Sequence, residues 1–462
     1  MGRSTCPGCR ALRRRVAELE AVVRDLQTQL GRNASNSSVP PSANPPAAPK
    51  PVVKEPTGRA PGGQPGHVAY QRVRLPAERV RAVIRHVPTH CRRCRHGLPA
   101  EPGPQDPPPT WHQIAELPAI AAVVTEHQGH TRTCPHCGTR THAAIPADLR
   151  ARVLGPRLTA AIAYLSGGRH DSKRGVEEVV ETLFGVPVAL GSVAAAEQDV
   201  SAALAGAHAE ATAAVRAAAV KNVDETGWKQ AGRLRWLWAG VTRTVACFQV
   251  HARRGLDGLR ALLGDDPAGI VVSDRWCAYN RLALRDRQLC WAHLKRDFQA
   301  MVDRGGPARP IGNQLLCFVE DLFLWWHRVR DGTLTRTSLR TYVGELRPAF
   351  RDVLERGAVS GCAKTEAVCT NLLSLEPALW TFVRVEGVEP TNNAAERAVR
   401  PAVLWRQRSF GCHSAAGCRF VERILTVVQT LRQQQRPVFA FLVDAVTAHR
   451  HGQPTPQLLP VG

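Results

Sequence analysis

The chain has 462 residues, of which 44% are hydrophobic and 22% charged, a composition that indicates folded protein and excludes a chain disordered throughout. Its formal net charge of +22 favours a polyanionic partner, nucleic acid above all, over a basic protein that binds no polyanion. The 14 cysteines occur without an apolar signal segment or a membrane-length apolar run, which predicts a cytoplasmic protein whose thiols are reduced or bind metal.

The first 32 residues predict a helix that pairs with a second copy. Apolar residues recur at alternating spacings of four and three, the heptad pattern of a coiled coil, at Leu12, Val16, Leu19, Val23, Leu26 and Leu30. An amphipathic helix packed on its own chain gives the same stripe, and self-association is the interpretation we prefer. Residues 33–67 are rich in Pro, Ser and Asn and predict a disordered, basic linker. Whether Cys6 and Cys9 bind metal is left open.

Residues 68–150 predict a zinc-binding module. They contain two C-x-x-C pairs, Cys91 with Cys94 and Cys134 with Cys137. Each pair presents two sulfurs from one turn, and four thiolates suit tetrahedral Zn²⁺. Because the pairs are far apart in the sequence, nearby histidines are alternative ligands, namely His90, His96 and His136.

Residues 151–218 are Ala-rich and predict helices. The sequence from Phe184 to Pro187 breaks the pattern, and Ser192 is a suitable N-cap for a helix over 193–204. Helix, short turn and helix together outline a helix-turn-helix. A plain helical bundle is favoured over that interpretation, because the second helix has no basic face.

Residues 219–300 predict the first part of a core made of strands. A short strand over 220–224 ends at Asp224, and period-two patterns predict two more strands in an antiparallel meander, around Trp236 and over 246–250. A helix over 256–263 and a strand over 269–273 follow, and Asp274 comes directly after that strand. An aspartate therefore stands at the end of the first strand and of the fourth.

The rest of the chain predicts helices. Residues 301–388 are a helical insertion, residues 389–435 complete the core with a third acid, and residues 436–462 are a C-terminal helix and tail. A helix that begins near Asn392 contains Glu396. The predicted fold class is multidomain α/β.

The three acids suit phosphodiester chemistry. Two hard cations held by carboxylates stabilise both the attacking and the leaving oxygen of an in-line displacement at phosphorus. Asp224 and Asp274 would lie on adjacent strands at one edge of the sheet, and a later helix can add Glu396. Spacing alone predicts such a site in many acidic sequences.

The segments around the acids carry a resemblance to a known family. They read VDETGW at 223–228, SDRWCAYN at 273–280 and NNAAERAVRP at 392–401, and they resemble the three catalytic motifs of bacterial insertion-sequence-66 transposases. Further similarity covers CWAHLKRDF at 290–298, RSFG at 408–411, GGQPGH at 62–67 and CPHCG at 134–138. The other cysteine segment, CRRCRHG at 91–97, departs from the pattern at Arg95, where a glycine is expected.

The resemblance implies a DDE recombinase with an RNase H-like core, in which Asp224, Asp274 and Glu396 are catalytic and hold Mg²⁺ or Mn²⁺. It implies that two ions activate water to cut at the ends of an insertion sequence, and that the freed 3′-hydroxyl attacks target DNA. Zn²⁺ would occupy the cysteine module. The implied partners are transposon ends and target DNA, a second copy of the chain, and accessory proteins of the same element. The implied location is the bacterial cytoplasm at the nucleoid, without a membrane.

Several matched residues have a second interpretation. Glu225 is a rival to Asp224, although it would point to the opposite face of a strand. Glu396 follows Asn393 by three residues, which is also the spacing of a capping box. Cys290 and His293 form a C-x-x-H pair whose role is structural or zinc-related. Four arginines beside the third acid are expected to hold DNA phosphate, unless they form a solvated helix face: Arg397, Arg400, Arg406 and Arg408.

Two rival functions remain. One is a DNA-binding regulator derived from a transposase, whose acidic core no longer reacts; the intact acids argue against it. The other is an RNase H-like nuclease, which has the same active site and differs in the fate of the 3′-end.

Overall fold

The computed structural model describes residues 15, 16, 18–20, 22, 23, 27, 72–118 and 120–460. It divides the chain into two compact units, residues 50–122 and residues 1–49 with 123–462. The predicted linker, Cys6, Cys9 and most of the predicted coiled-coil helix lie outside the described residues, and the described positions between 15 and 27 are helical. No helix formed by the described residues is long and apolar enough to cross a membrane.

The unit of residues 50–122 has little regular structure in its described part. It contains one turn of 3₁₀ helix at Ala77–Arg79 and an isolated bridge between His90 and Gly97. Polar contacts hold it, since the Gln113 amide accepts from Leu75 N at 2.8 Å and donates to Leu75 O at 3.1 Å. The Gln113 side chain thus satisfies both the backbone N–H and the backbone C=O of Leu75, as a neighbouring strand would do in a sheet.

The larger unit begins with a hairpin and a group of helices. The hairpin pairs β1 (Thr131–Thr133) with β2 (Arg140–His142) in antiparallel register. The helices are α1 (Ala147–Arg150), α2 (Pro156–Ala163), α3 (Lys173–Phe184), α4 (Leu190–Ala203) and α5 (Ala205–Ala217). The predicted break after Phe184 is confirmed, because Gly185 takes a left-handed conformation with φ of 65° and ends α3.

The prediction that Ser192 caps a helix over 193–204 is wrong. Helix α4 starts at Leu190, so Ser192 is its third residue, and Ala189 is the N-cap with no side-chain cap bond. Buried Val193, Ala196 and Val200 lie on the inner face of this helix. Their packing stabilises the helix from its first turn, and that packing overrides the local capping signal.

A five-stranded mixed sheet is the centre of the larger unit. Its strands are β3 (Val220–Gln230), β4 (Arg233–Val241), β5 (Ala246–His251), β6 (Ile270–Ser273) and β7 (Arg287–Leu289), in the spatial order β5-β4-β3-β6-β7. The first three strands form the predicted antiparallel meander, and β6 and β7 run parallel to β3. Helix α6 (Leu256–Leu263) precedes β6, as predicted.

The first strand is longer than predicted. It runs from Val220 to Gln230 and does not end at Asp224, because β4 pairs with it as far as Gln230 opposite Arg233. Ala231 and Gly232 form a two-residue turn with φ of 49° and 74°, the conformation that tight hairpins prefer. Asp224 therefore lies in the middle of a strand, two residues beyond the last pair with β6.

Helices complete the unit after the sheet. The helices of residues 291–384 are α7 (Trp291–Arg304), α8 (Ala308–Arg330), α9 (Arg336–Gly357), α10 (Ala363–Ser374) and α11 (Thr381–Arg384). Three further helices follow, α12 (Asn393–Ser409), α13 (Ala415–Gln433) and α14 (Val438–Arg450).

The sheet separates two hydrophobic cores. Successive strand residues point to opposite faces, so Val271 packs into the core that contains α5, α12, α13 and α14, and Val272 packs into the core of helices α7 to α11. The helices between β7 and α12 thus have a core of their own. Strand β6 lies between these two cores and ends at Ser273, directly before Asp274.

Candidate active site

Two of the predicted acids lie side by side on neighbouring strands. The parallel pairing of β3 and β6 joins Val220 with Ile270 and Asn222 with Val272. Continued by two residues, this register places Asp224 opposite Asp274. Neighbouring strands are about 4.8 Å apart, so the two carboxylates start from adjacent backbone positions, one at the carboxyl end of β6 and one in the middle of β3.

Asp224 is close to several other carboxylates. Burial raises its pKa well above the usual value, and the charges of Glu225, Asp274 and Glu396 raise it further. Its Oδ1 accepts from the amide of Glu225 at 3.0 Å, and Oδ1 of Asp274 accepts from the amide of Trp276 at 2.9 Å. A cation at this position would relieve the mutual repulsion of the carboxylates.

An asparagine clamp brings the third acid to the strand. The side chain of buried Asn392 donates to the carbonyl of Val223 at 2.8 Å and accepts from Nδ2 of Asn222 at 3.0 Å. Asn222 and Asp224 share one face of β3, since they are two residues apart. Helix α12 begins directly after Asn392, so its first turn, with Glu396, lies on the side of Asp224.

Glu396 does not cap its own helix. The N-cap of α12 is Asn392, which makes Glu396 the fourth helical residue, whereas a capping box needs the third. Its backbone amide donates to Asn392 O at 3.2 Å, and its Oε1 is buried without a hydrogen-bond partner. The neighbour of this oxygen is Nδ1 of His293, 3.4 Å away.

Glu225 has partners of its own on the other face of β3. Its carboxylate accepts from Nε of Arg254 at 2.8 Å and from the hydroxyl of Tyr279 at 2.6 Å. Burial raises its pKa above the usual value, the charge of Asp274 acts in the same direction, and the bonds from Tyr279 and Arg254 offset only part of the rise. The Arg254 guanidinium lies 4.1 Å from the Trp276 ring centre and 4.9 Å from that of Trp236. Glu225 is thus the buried end of an ion pair.

The four predicted DNA-binding arginines are placed differently. Arg406 is partly buried, and its Nη1 donates to Oγ1 of Thr226 at 3.2 Å and to the carbonyl of Gly227. It fastens α12 along β3. The other three, Arg397, Arg400 and Arg408, are exposed on α12.

Cys290 and His293 lie beside Glu396. Cys290 is the N-cap of α7, and His293 follows one turn later. The amide of Asn392 donates to Cys290 Sγ at 3.1 Å, and Nδ1 of His293 is 3.4 Å from Oε1 of Glu396. The thiol, imidazole and carboxylate atoms all lie within 4.8 Å of one another, the closest set of possible metal ligands among the described residues.

Burial sets the protonation of this cluster. It raises the pKa of the Cys290 thiol to about 11 and lowers the pKa of His293, where the charge of Arg296 acts in the same direction. Glu396 and Asp274 oppose that effect by raising the pKa of His293. The cluster of Cys290, His293 and Glu396 does not include Asp224 or Asp274.

Both C-x-x-C segments form the same loop. The amide of Cys91 donates to His96 O and the amide of Arg95 to Cys91 O, and Cys134, Gly138 and Thr139 repeat the pattern. Arg95 and Gly138 hold equivalent positions with φ of 64° and 69°. Cys91 and Cys94 belong to the unit of residues 50–122, and Cys134 and Cys137 belong to the larger unit.

Bonds that polarise the thiols accompany this loop shape. Hydrogen bonds from the amides of Cys94 and Arg93 lower the pKa of Cys91. A side-chain bond with Thr139, at 3.3 Å between Sγ and Oγ1, lowers the pKa of Cys137. Thiolates favoured in this way are suitable metal ligands.

The sequence interpretation missed the residues that position the site. The Asn222–Asn392 pair and the Glu225–Arg254–Tyr279 contacts were not foreseen. The one signal for the first was the pair of asparagines at the start of α12, because an amide at a helix start usually has a backbone or capping partner. No local signal pairs Arg254 with Glu225.

A family model described as "Transposase IS66 family" matches residues 152–419, more than half of the chain. The chain belongs to this transposase family. The matched range contains the three acids, Cys290, His293 and the four arginines, while the two C-x-x-C pairs precede it. Residues 8–73 match a second model, described as a family of unknown function.

A curated relative of the IS66 transposase chain is an uncharacterized protein of Sinorhizobium fredii. The two are 26% identical over 251 residues, which is 48% of this chain and 45% of the relative. The match spans less than half the length of that relative.

Proposed function

We propose that this member of the family is a DDE transposase that cuts the ends of its insertion sequence and joins the 3′-hydroxyl to target DNA. The observation that carries the proposal is the continued register of β3 and β6, with Asp224 opposite Asp274 and Glu396 held nearby by Asn392. The proposed core is RNase H-like. The mixed sheet, with three antiparallel strands followed by two parallel ones, supports it.

The residues present fit hard divalent cations, Mg²⁺ or Mn²⁺. Asp224, Asp274 and Glu396 are carboxylates, the ligand type that these ions prefer. Burial raises the pKa of Asp224, and the charges of Glu225, Asp274 and Glu396 raise it further, an unfavourable interaction that a bound cation would relieve. Bound ions of this kind stabilise the attacking and leaving oxygens during displacement at phosphorus.

The protein's own groups would position the reaction. Asp224 and Asp274 would be the fixed ligands, because strand pairing sets their spacing. Glu396 would be the third ligand. Its helix, α12, is positioned by the contacts of Asn392 and, further along, of Arg406 with β3. The exposed Arg397, Arg400 and Arg408 would hold DNA phosphate beside the acids.

The cysteine loops are proposed zinc ligands. The hydrogen bonds from backbone amides to carbonyls around Cys91 and Cys134 shape two equivalent loops, and each offers a pair of thiolates. Zinc bound there would make the loops rigid, and they would then contribute to recognition of transposon ends.

The remaining partners follow from the proposed reaction. Joining requires two ends at once, which supports a homo-oligomer, with the apolar stripe at Val16, Leu19 and Val23 as a contact between copies. Accessory proteins of the same element and a location at the bacterial nucleoid are part of the same proposal.

A strand-transfer assay tests the proposal. Linear DNA carrying the terminal repeats is incubated with the full-length protein and Mg²⁺, and cut and joined products are separated on a gel. Asp274→Asn is expected to lower both activities at least about 100-fold, since a lost metal ligand costs several kcal/mol of transition-state stabilisation.

Asp286→Asn is the matched control. Asp286 lies on the same connection, is half-exposed and contacts Arg285, so its replacement should leave joining unchanged. Joined products that persist with Asp274→Asn would refute the assigned acids. Cutting without joining would support the nuclease, and DNA binding without cutting by the wild type would support the regulator.

A further inference from the structure

Two buried polar atoms beside the proposed active site face each other without a hydrogen-bond partner. They are Nδ1 of His293 and Oε1 of Glu396, separated by 3.4 Å. Buried polar atoms in folded proteins are nearly always paired, so two such neighbours indicate that a partner binds between them.

A thiol completes the group. Cys290 Sγ lies within 4.8 Å of a ring nitrogen of His293 and of a carboxylate oxygen of Glu396, and it accepts from the amide of Asn392. Cys290 is the N-cap of α7, His293 lies in the first turn of that helix, and Glu396 lies in the first turn of α12. The amide of Trp291 also donates to Pro390 O at 2.9 Å, which joins the two helix starts. The three ligand atoms are thus held by rigid elements.

The separation of the nitrogen and oxygen suits a bridging ion better than a direct bond. A hydrogen bond between such atoms is usually about 2.7–3.2 Å long. With metal–ligand distances of about 2.0–2.2 Å, the edge of a zinc tetrahedron is about 3.4 Å. The observed separation is 3.4 Å.

The donor set also selects the kind of ion. Sulfur and imidazole nitrogen are ligands of Zn²⁺ and similar transition metals, whereas Mg²⁺ prefers oxygen. We propose that Cys290, His293 and Glu396 bind a Zn²⁺-class ion, separate from the hard cations proposed at the acids. Three protein ligands leave the fourth tetrahedral position open.

Such an ion would fix Glu396. A carboxylate has two oxygens, so one can bind this ion while the other remains available to a second cation. The ion would also tie the start of α7 to the start of α12. The site does not depend on the proposed DNA chemistry, because its ligands would bind metal in an inactive protein as well.

Metal content of the full-length protein tests the inference. Wild type, Cys290→Ala and His293→Asn are dialysed with a weak chelator, and zinc per chain is measured by mass spectrometry. Each variant is expected to contain about one zinc ion fewer per chain than the wild type, since removal of one of three ligands releases the ion. Zinc at the cysteine loops cancels in this comparison.

Two further variants separate metal binding from packing. Cys369→Ala also removes a buried thiol, but one outside the cluster, and it should keep the full zinc content. His293→Cys should retain the ion, because cysteine can replace histidine as a zinc ligand. His293 is partly exposed, so its variants remain informative should Cys290→Ala fail to fold. Zinc content equal to wild type in both folded His293→Asn and Cys290→Ala would overturn the proposal.

Discussion

The acidic site and the cysteine loops are built in opposite ways. The acidic site depends on contacts between distant segments, such as the bond of Asn222 to Asn392 across 170 residues. Each cysteine loop is closed by bonds between residues at most five positions apart, from Cys91 to His96 and from Cys134 to Thr139. A local loop is encoded by its own few residues, whereas the acidic site exists only once both cores have formed.

Their surroundings differ as well. Buried residues surround the acids, where desolvation and like charges raise the pKa of Asp224. All six residues of β1 and β2 are exposed, so the hairpin beside Cys134 has no core beneath it. A metal bound at the acids should therefore mainly relieve the repulsion between their charges. A metal bound at the cysteine loops should mainly stabilise the folded loop.

The largest expected effect is a difference between variants of two neighbouring acids, Asp224 and Glu225. Asp224→Asn should lower strand transfer at least about 100-fold while raising the free energy of unfolding in metal-free buffer by about 1 kcal/mol, since it removes a buried charge among like charges. Glu225→Ala should instead lower the free energy of unfolding by about 2 kcal/mol, because the buried Tyr279 hydroxyl and Arg254 lose their acceptor. Transfer assays and urea unfolding of both variants measure this, and equal effects of the two would contradict it.

The next effect tests whether distant contacts hold Glu396. Asn392→Ala removes the bonds to Val223 and Asn222, and we expect a loss of about 2 kcal/mol in stability and about tenfold in transfer rate. Exposed Asn393→Ala is the matched control and should stay within about 0.5 kcal/mol of wild type. A neutral result at Asn392 would show that the clamp does not position the helix.

Metal removal tests the other half of the comparison. With a strong chelator, hydrogen exchange of the amides in residues 131–142 should accelerate, because no buried core protects that hairpin. Exchange of the β3 and β4 amides should remain slow. Cys134→Ser should show the same fast exchange without chelator, and exposed Cys317→Ser should not. Unchanged exchange after chelation would argue against zinc at this loop.

The smallest effect compares the two loops with each other. Gly138→Ala meets no neighbouring atom, so its cost comes only from the left-handed φ, about 1 kcal/mol or fivefold weaker zinc binding. Arg95→Gly changes the equivalent residue in the favourable direction and should strengthen binding by a smaller factor. Competition with a coloured chelator measures the zinc affinity of both variants. A decrease for Gly138→Ala and an increase for Arg95→Gly are the expected result.

Local patterns allowed much of this protein to be predicted. Short stretches of sequence predicted the order of the first four sheet strands, the helix before β6, Asp274 after β6 and the break at Gly185, because strand alternation and turn residues act over a few positions. The short strand β7 was not predicted. The motifs around the acids indicated the family that the later match showed.

Other features were decided by tertiary structure. Only pairing with β4 extends β3 past Asp224, and only packing makes Leu190 the start of α4 in place of the residue after Ser192. Glu225 became the partner of Arg254 because burial leaves a carboxylate stable only beside a cation or donor.

The sequence alone determined which chemical groups the chain carries and which loops and strands hold them. Tertiary structure decided which of those groups meet. It set Asp224 level with Asp274, turned Arg406 onto β3, and brought Cys290 and His293 to Glu396. The physical reason is that a side chain's role follows from its neighbours, and burial and strand register choose those neighbours over distances that no local pattern spans.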